Sequence, residues 1–244
     1  MESNQENLGR KRMRPRLLDF VEKERPILQV ALDYTNLEEA LRLATALRRE
    51  LGEHTWIAEA GTPLIKAEGM RSVRLLRASI DPVHVVADTK TADTGELEIG
   101  LAADAGASAA TVLACTLNET IEAAIREAHG RGIALAADMI AVKNIEERAE
   151  QLESLGVDII ELHIGIDAQR ALGMTAGDLI ELVRKLSKRL KPYLAVAGGI
   201  NKNTAPQLAE AGADIVIVGG AITKSTDPVG AAREIIHAIK RKRQ

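Results

Sequence analysis

Aromatic residues are almost missing from this chain: one Trp, two Tyr and one Phe in 244 residues, or 2%. The core must therefore be built from Ala, Val, Ile and Leu, and there is no aromatic platform on which single-stranded nucleic acid could stack. Cysteine occurs once, at Cys115, so no intrachain disulfide can form. A reducing, cytoplasmic location is the simple expectation. No apolar run is long enough to span a bilayer. The first 25 residues mix charges of both signs and lack the apolar stretch of a signal peptide. Net charge is only -3, so no global field favours nucleic acid or a membrane surface as partner.

What is present, 46% hydrophobic and 27% charged residues, is the balance of a globular protein. Residues 1–25, with a short basic cluster from Arg10 to Arg16, read as a weakly ordered N-terminal extension, and 26–244 as one catalytic domain. From Pro26 onward, short β-branched runs alternate with longer amphipathic segments. The strand candidates are 27–33, 55–60, 83–88, 109–114, 133–139, 158–163, 193–198 and 214–219, each nearly continuous in apolar character, as a parallel strand buried on both faces requires. Helical patterns fall at 36–50, 67–78, 95–105, 118–130, 144–155, 175–190, 202–211 and 228–241, with Asn36 and Asn118 placed as N-caps and Gly130, Gly156 and Gly212 as stops. Eight such units without a Pro-, Gly- or Ser-rich linker imply a single-domain α/β fold, the (β/α)8 TIM barrel. The alternative, an open doubly wound sheet, seldom needs eight regular units.

Barrels of this kind place functional groups at the carboxyl ends of their strands. Those positions carry Asp33, Glu59, Asp88 with Lys90 two residues on, Asp138 and His163, and Asp93 follows in the next loop. A strand-terminal Asp is also a common turn former, and for Asp138 that explanation is as good as a functional one. Together, Asp33, Glu59, Asp88 and Asp93 set an excess of negative charge against one Lys90. Closely spaced carboxylates raise one another's pKa unless a cation intervenes, and sparse oxygen ligation suits Mg²⁺. Strands seven and eight end instead in Gly198-Gly199 and Gly219-Gly220, whose N–H groups can face an anion. A small phosphorylated substrate lying across the barrel mouth is expected.

The spacing Asp88-x-Lys90-x-x-Asp93, with "EAGTPLIKAEGM", "ADTKTADTG", "HIGIDAQ", "VAGGI" and "VGGAIT", resembles the orotidine 5'-monophosphate decarboxylase superfamily. Within it these stretches most resemble the 3-hexulose-6-phosphate synthase family, and the likeness runs from Leu28 to about Ile239. Orotidine-phosphate decarboxylases usually carry lysine where Glu59 stands. The 3-keto-L-gulonate-6-phosphate decarboxylases tend to continue the strand-six His as His-Arg-Ser-Arg-Asp, where this chain reads His163-Ile164-Gly165-Ile166-Asp167. Thr89 and Ala60 depart from the usual aliphatic residue and Ile. The resemblance implies a lyase: an aldol reaction of formaldehyde with ribulose 5-phosphate, without a Schiff base. It implies Mg²⁺, with Mn²⁺ as substitute, held by Glu59 and Asp88; Lys90 as positive charge at the reacting oxygens; His163 as proton carrier; and Asp33 bonded to a substrate hydroxyl. Gly198, Gly199, Gly219 and Gly220 would hold the phosphate, and Asp93 would cross into the partner's site in a homodimer with shared active sites. A decarboxylase on the same scaffold, and a non-catalytic ligand-binding barrel, remain as alternatives. A Schiff-base role for Lys90 is disfavoured, because flanking carboxylates hold its ammonium charged.

Overall fold

The apolar runs form eight short parallel strands: β1 (Ile27–Leu32), β2 (Trp56–Ala60), β3 (Val85–Thr91), β4 (Ala109–Leu113), β5 (Ala134–Asp138), β6 (Ile159–His163), β7 (Tyr193–Ala197) and β8 (Ile215–Val218). They pair in chain order and close β8 onto β1, which gives the expected single-domain barrel and rules out the open sheet. The structure is a computed structural model describing residues 14–173 and 175–240. Alternation along each strand divides its side chains. Leu28, Val30, Ala58, Val85, Val112, Ile160 and Val216 face outward into one apolar cluster with the helices, whereas Ile27, Ile57, Val86, Ile159 and Ile215 face the barrel interior.

Around the barrel run α2 (Leu37–Leu51), α3 (Thr62–Glu68), α4 (Arg71–Ile80), α5 (Gly95–Asp104), α6 (Asn118–Arg131), α7 (Ile145–Leu155), α8 (Ile166–Leu172), α9 (Ile180–Leu186), α10 (Ala205–Ala211), α11 (Gly220–Thr223) and α12 (Pro228–Lys240). Asn36 caps α2 as expected, its Oδ1 accepting the Glu39 N–H at 3.1 Å. Asn118 does not cap α6: it lies inside the first turn and accepts from Arg148 Nη1 at 2.6 Å. Gly130 likewise does not end that helix, which runs on to a left-handed Gly132 (φ 73°). The pattern expected at 67–78 is two helices, parted at Gly69. That expected at 175–190 is a 3-10 turn followed by the shorter α9.

The largest difference lies before β1. Residues 1–13 of the expected extension fall outside the described residues, but Arg16–Glu24 is an ordered helix, α1, with Leu17, Leu18 and Val21 buried. The cause is the barrel's own interior. At its amino-terminal end the inward positions include small residues, Ala109 and Ala134, and the aliphatic face of α1 packs against them and against Ile27, Ile57 and Ile159. Polar contacts pin the helix: Tyr193 donates to Glu22, Arg14 Nη2 donates to the Tyr193 hydroxyl at 2.8 Å, and Arg25 reaches Asp214 at 3.1 Å. Among the described residues no helix is long and apolar enough to cross a membrane.

This packing predicts that Leu17→Ala, made at a side chain 1% exposed, lowers unfolding free energy by about 2–4 kcal/mol in urea titrations. An unchanged midpoint would show that α1 does not seal the barrel.

Candidate functional site

Toward the carboxyl-terminal end of the barrel the inward positions turn polar. Gln29, Glu59, Asp88, Thr111, Asp138 and Glu161 are buried there, with His163 at the rim. A break in β3 shapes this mouth. The strand pairs with β4 through Ala87 and Ala110 and resumes only at Thr91 and Val112, so residues 88–90 form a bulge. Lys90 sits in it with φ 46°, a left-handed conformation that costs a non-glycine residue about 1–2 kcal/mol. The Lys90 N–H donates to Thr111 Oγ1 at 2.9 Å, and Thr89 Oγ1 donates to the Thr111 carbonyl at 2.6 Å, which fixes the turn. Asp88 and Lys90 do share a direction, through this bulge rather than through simple strand alternation.

The Lys90 ammonium donates to both Asp88 oxygens, at 3.0 and 2.9 Å, and to Asp138 Oδ2 at 2.7 Å. Asp88 also accepts from Thr62 Oγ1 at 2.6 Å and Thr111 Oγ1 at 2.9 Å. Asp138 accepts from the Ile140 N–H at 2.8 Å, and its Oδ2 lies 3.0 Å from His163 Nδ1. Because a carboxylate only accepts, Nδ1 carries the hydrogen and Nε2 is left as the basic nitrogen. Across the interior, Gln29 Nε2 donates to Glu59 Oε2 at 2.6 Å, and Glu161 Oε1 lies 3.4 Å from His163 Nδ1.

The charges are far from independent. Burial, then the charges of Asp88 and Asp33, push the Glu59 carboxyl up to about 8 against the Gln29 hydrogen bond. Burial, Asp138 and Glu59 push Glu161 well above the usual carboxylate range. Asp33, open to solvent at the rim, is raised by partial desolvation against the mouth and by Asp88. Burial would also raise Asp138, but His163 and Lys90 outweigh it and hold that carboxyl low. Burial opposes the Lys90 charge, yet Asp88, Asp138 and Glu161 prevail and raise its pKa, so it is a persistent ammonium and a poor Schiff-base nucleophile. Five carboxyl groups thus gather around Lys90 and His163, with Lys224 acting on Asp33 at the rim. A divalent cation would relieve that surplus, and Glu59 and Asp88 offer it carboxylate oxygens from the adjacent strands β2 and β3. A separate group of ligand atoms, on Asp138, Glu161 and His163, lies within 4.8 Å of one another.

Asp33 follows β1 at the rim, between two glycines. A Cβ on Gly61 would stand 2.1 Å from its Oδ1, and one on Gly219 3.1 Å from its Oδ2. Gly198 (φ 102°) and Gly199 (φ 66°) turn the chain after β7, and a Cβ on Gly198 would meet the Ile164 carbonyl at 2.1 Å. Gly220 opens the short α11, beside the Lys224 side chain. Asp93 stands apart: it is exposed in the loop entering α5 and, among the described residues, makes no hydrogen bond or ion pair to the mouth. Strand-end reasoning also missed residues. The strand-end pattern leaves Asp138 undecided and does not reach Gln29, Glu161, Thr62 or Thr111. Counting back two positions from His163 would have found Glu161, since the inward face has a period of two.

A family model described as orotidine 5'-phosphate decarboxylase / HUMPS family matches residues 26–235. A 3-hexulose-6-phosphate synthase of Staphylococcus epidermidis is 40% identical over 215 residues, covering 88% of this chain and 99% of the relative. The crystal structure of 3-hexulose-6-phosphate synthase from Salmonella typhimurium superposes with TM-score 0.81 at 37% identity, covering 87% of this chain and 98% of that one. That of 3-keto-L-gulonate-6-phosphate decarboxylase from Vibrio cholerae gives 0.77 at 29% identity, covering 89% and 98%.

The Glu59 environment makes a pH prediction for chelator-treated protein. Folded, Glu59 keeps its proton to about 8; its ordinary value is 4.5. Between those values the native state binds the extra proton, so this group's contribution to stability falls as pH rises and levels off above pH 8. Urea unfolding of Glu59→Gln should match the parent near pH 4 and exceed it by on the order of 2–4 kcal/mol at pH 9. A difference that stays flat with pH would contradict the assignment.

Proposed function

We propose that this chain, which belongs to the orotidine 5'-phosphate decarboxylase / HUMPS family, is a metal-assisted aldolase that joins formaldehyde to D-ribulose 5-phosphate, giving 3-hexulose 6-phosphate, and also runs the reverse. The observation that carries this reading is the run of contacts Asp88–Lys90–Asp138–His163 at a mouth crowded with carboxylates. The sugar phosphate must lose a proton beside its carbonyl, and negative charge then builds on two neighbouring oxygens. Lys90, held as an ammonium by Asp88 and Asp138, supplies fixed positive charge for those oxygens. His163 Nε2 takes the proton while Asp138 steadies the imidazolium through Nδ1, and the same proton passes to the oxygen of the added formaldehyde. Protons therefore balance over the turnover.

Asp33, fixed between Gly61 and Gly219, hydrogen-bonds a substrate hydroxyl. The turns at Gly198-Gly199 and Gly219-Gly220 cradle the phosphate, with Lys224 beside them. Glu59 and Asp88 would hold Mg²⁺ or Mn²⁺, and such an ion, when bound, supplies Lewis-acid stabilisation to an enediolate. Asp93 completes the site of a second copy. Its exposed neighbours Leu97 and Leu101 offer apolar surface for that contact.

Formaldehyde-dependent consumption of ribulose 5-phosphate in the presence of Mg²⁺ tests the reaction, and Glu59→Gln should lower kcat/KM by about 10²–10³-fold. Carbon dioxide release from a 3-keto sugar-acid phosphate, without formaldehyde consumption, would replace the aldolase with a decarboxylase. Mixing two inactive variants, Asp93→Ala and Lys90→Ala, tests the shared site. If copies exchange freely, half the dimers are mixed with one intact site each, and activity returns to about a quarter of the parent's. No recovery would place Asp93 outside the partner's site.

A further inference from the structure

We propose that Asp138, Glu161 and His163 form a second cation site, chemically distinct from the Glu59–Asp88 pair, that takes Zn²⁺ in preference to Mg²⁺. The three side chains project inward from the adjacent strands β5 and β6. His163 Nδ1 lies 3.0 Å from Asp138 Oδ2 and 3.4 Å from Glu161 Oε1, and all three ligand atoms lie within 4.8 Å of one another. A tetrahedral ion with bonds near 2.0–2.1 Å sets its ligands about 3.3 Å apart, so the two edges from His163 Nδ1 have the right length and the third lies within 4.8 Å.

The second observation concerns Glu161. Its side chain is 8% exposed, yet among the described residues no donor outside the cluster gives it a hydrogen bond. The other buried acids of the mouth are supplied: Glu59 by Gln29, Asp88 by Thr62, Thr111 and Lys90, and Asp138 by Lys90 and the Ile140 N–H. Burial and the neighbouring acids favour the protonated form of this carboxyl, and a bound cation would take the place of that proton. The imidazole decides which cation. Mg²⁺ prefers oxygen alone, whereas a set of two carboxylates and one imidazole suits Zn²⁺.

Such an ion competes with Lys90, whose Nζ lies 2.7 Å from Asp138 Oδ2. Lys90 has somewhere else to go, since it also contacts both Asp88 oxygens. Asp138 Oδ1 stays anchored on the Ile140 N–H. Zn²⁺ would thus occupy the nitrogen that orients His163 and detach Lys90 from Asp138, which makes it an inhibitor of any chemistry needing that chain of contacts. The inference rests on donor geometry and not on the proposed reaction.

Calorimetric titration of the chelator-treated full chain with Zn²⁺, alone and under saturating Mg²⁺, tests it, with Co²⁺ as a spectroscopic probe of imidazole ligation. One Zn²⁺ per chain should persist under Mg²⁺. Glu161→Gln should weaken it by at least about tenfold while changing Mg²⁺ affinity less than about twofold. Should Glu161→Gln fail to fold, by circular dichroism, His163→Asn serves in its place, with the same loss of Zn²⁺ and of the Co²⁺ imidazole signature. Zn²⁺ fully displaced by Mg²⁺, or bound equally by parent and variant, overturns the site. A chain that binds Zn²⁺ in this way but does not turn over formaldehyde would leave the site standing and remove only the aldolase.

Discussion

The mouth of this barrel depends on one ammonium. Without Lys90, Asp88 and Asp138 would face each other in a low-dielectric interior, with Glu59 and Glu161 at their backs. Lys90 reaches both partners because the β3 bulge lifts its backbone into a left-handed turn, and Thr111 holds that turn by taking one bond from the Lys90 amide and another from Thr89. The strain is local, and the fixed charge it positions organises everything else at the rim. Asp138 is kept ionised, and an ionised Asp138 in turn sets the His163 tautomer.

The shortage of aromatic residues shapes the opposite end of the molecule. Near its floor the barrel is lined by Ala109, Ala134 and a few branched aliphatics, and Leu17, Leu18 and Val21 of α1 join them in one buried cluster. The family match begins at residue 26, after this helix. The seal therefore comes from sequence outside the shared barrel. It is tied on by Tyr193, one of the few aromatic residues the chain does use.

How much of this was legible in the sequence follows from range. The strands, most helices and the closed barrel come from periodicity, which is local and repeated eight times. The strand-end acids were legible because the fold dictates where functional groups gather. What escaped was set by tertiary geometry. Asn118 looks like a cap until Arg148 claims its side chain, and α1 looks like a solvated terminus until the barrel's inward residues offer its aliphatic face a surface. Gln29 and Glu161 sit inside apolar runs, and only knowledge of which face turns inward makes them neighbours of Glu59 and His163. Asp93 is the converse case. It belongs to a legible motif, yet among the described residues of a single copy it has no hydrogen bond or ion pair to the mouth.

The stretch after His163 bears on which reaction the mouth suits. Where related decarboxylases tend to carry arginines, this chain has Ile164 and Ile166. Ile164 is buried, its amide bonded to Ala197 and its carbonyl to Gln169 Nε2, so the backbone there is committed to shaping the turn at Gly198. Ile166 is 61% exposed at the start of α8 and brings no charge. A substrate that gives up a carboxylate brings a negative charge that an arginine would meet, whereas formaldehyde is small and neutral and needs room more than a counter-ion. The segment after His163 thus adds no charge to the mouth, and Lys90, His163 and the acids below remain the charged groups gathered there.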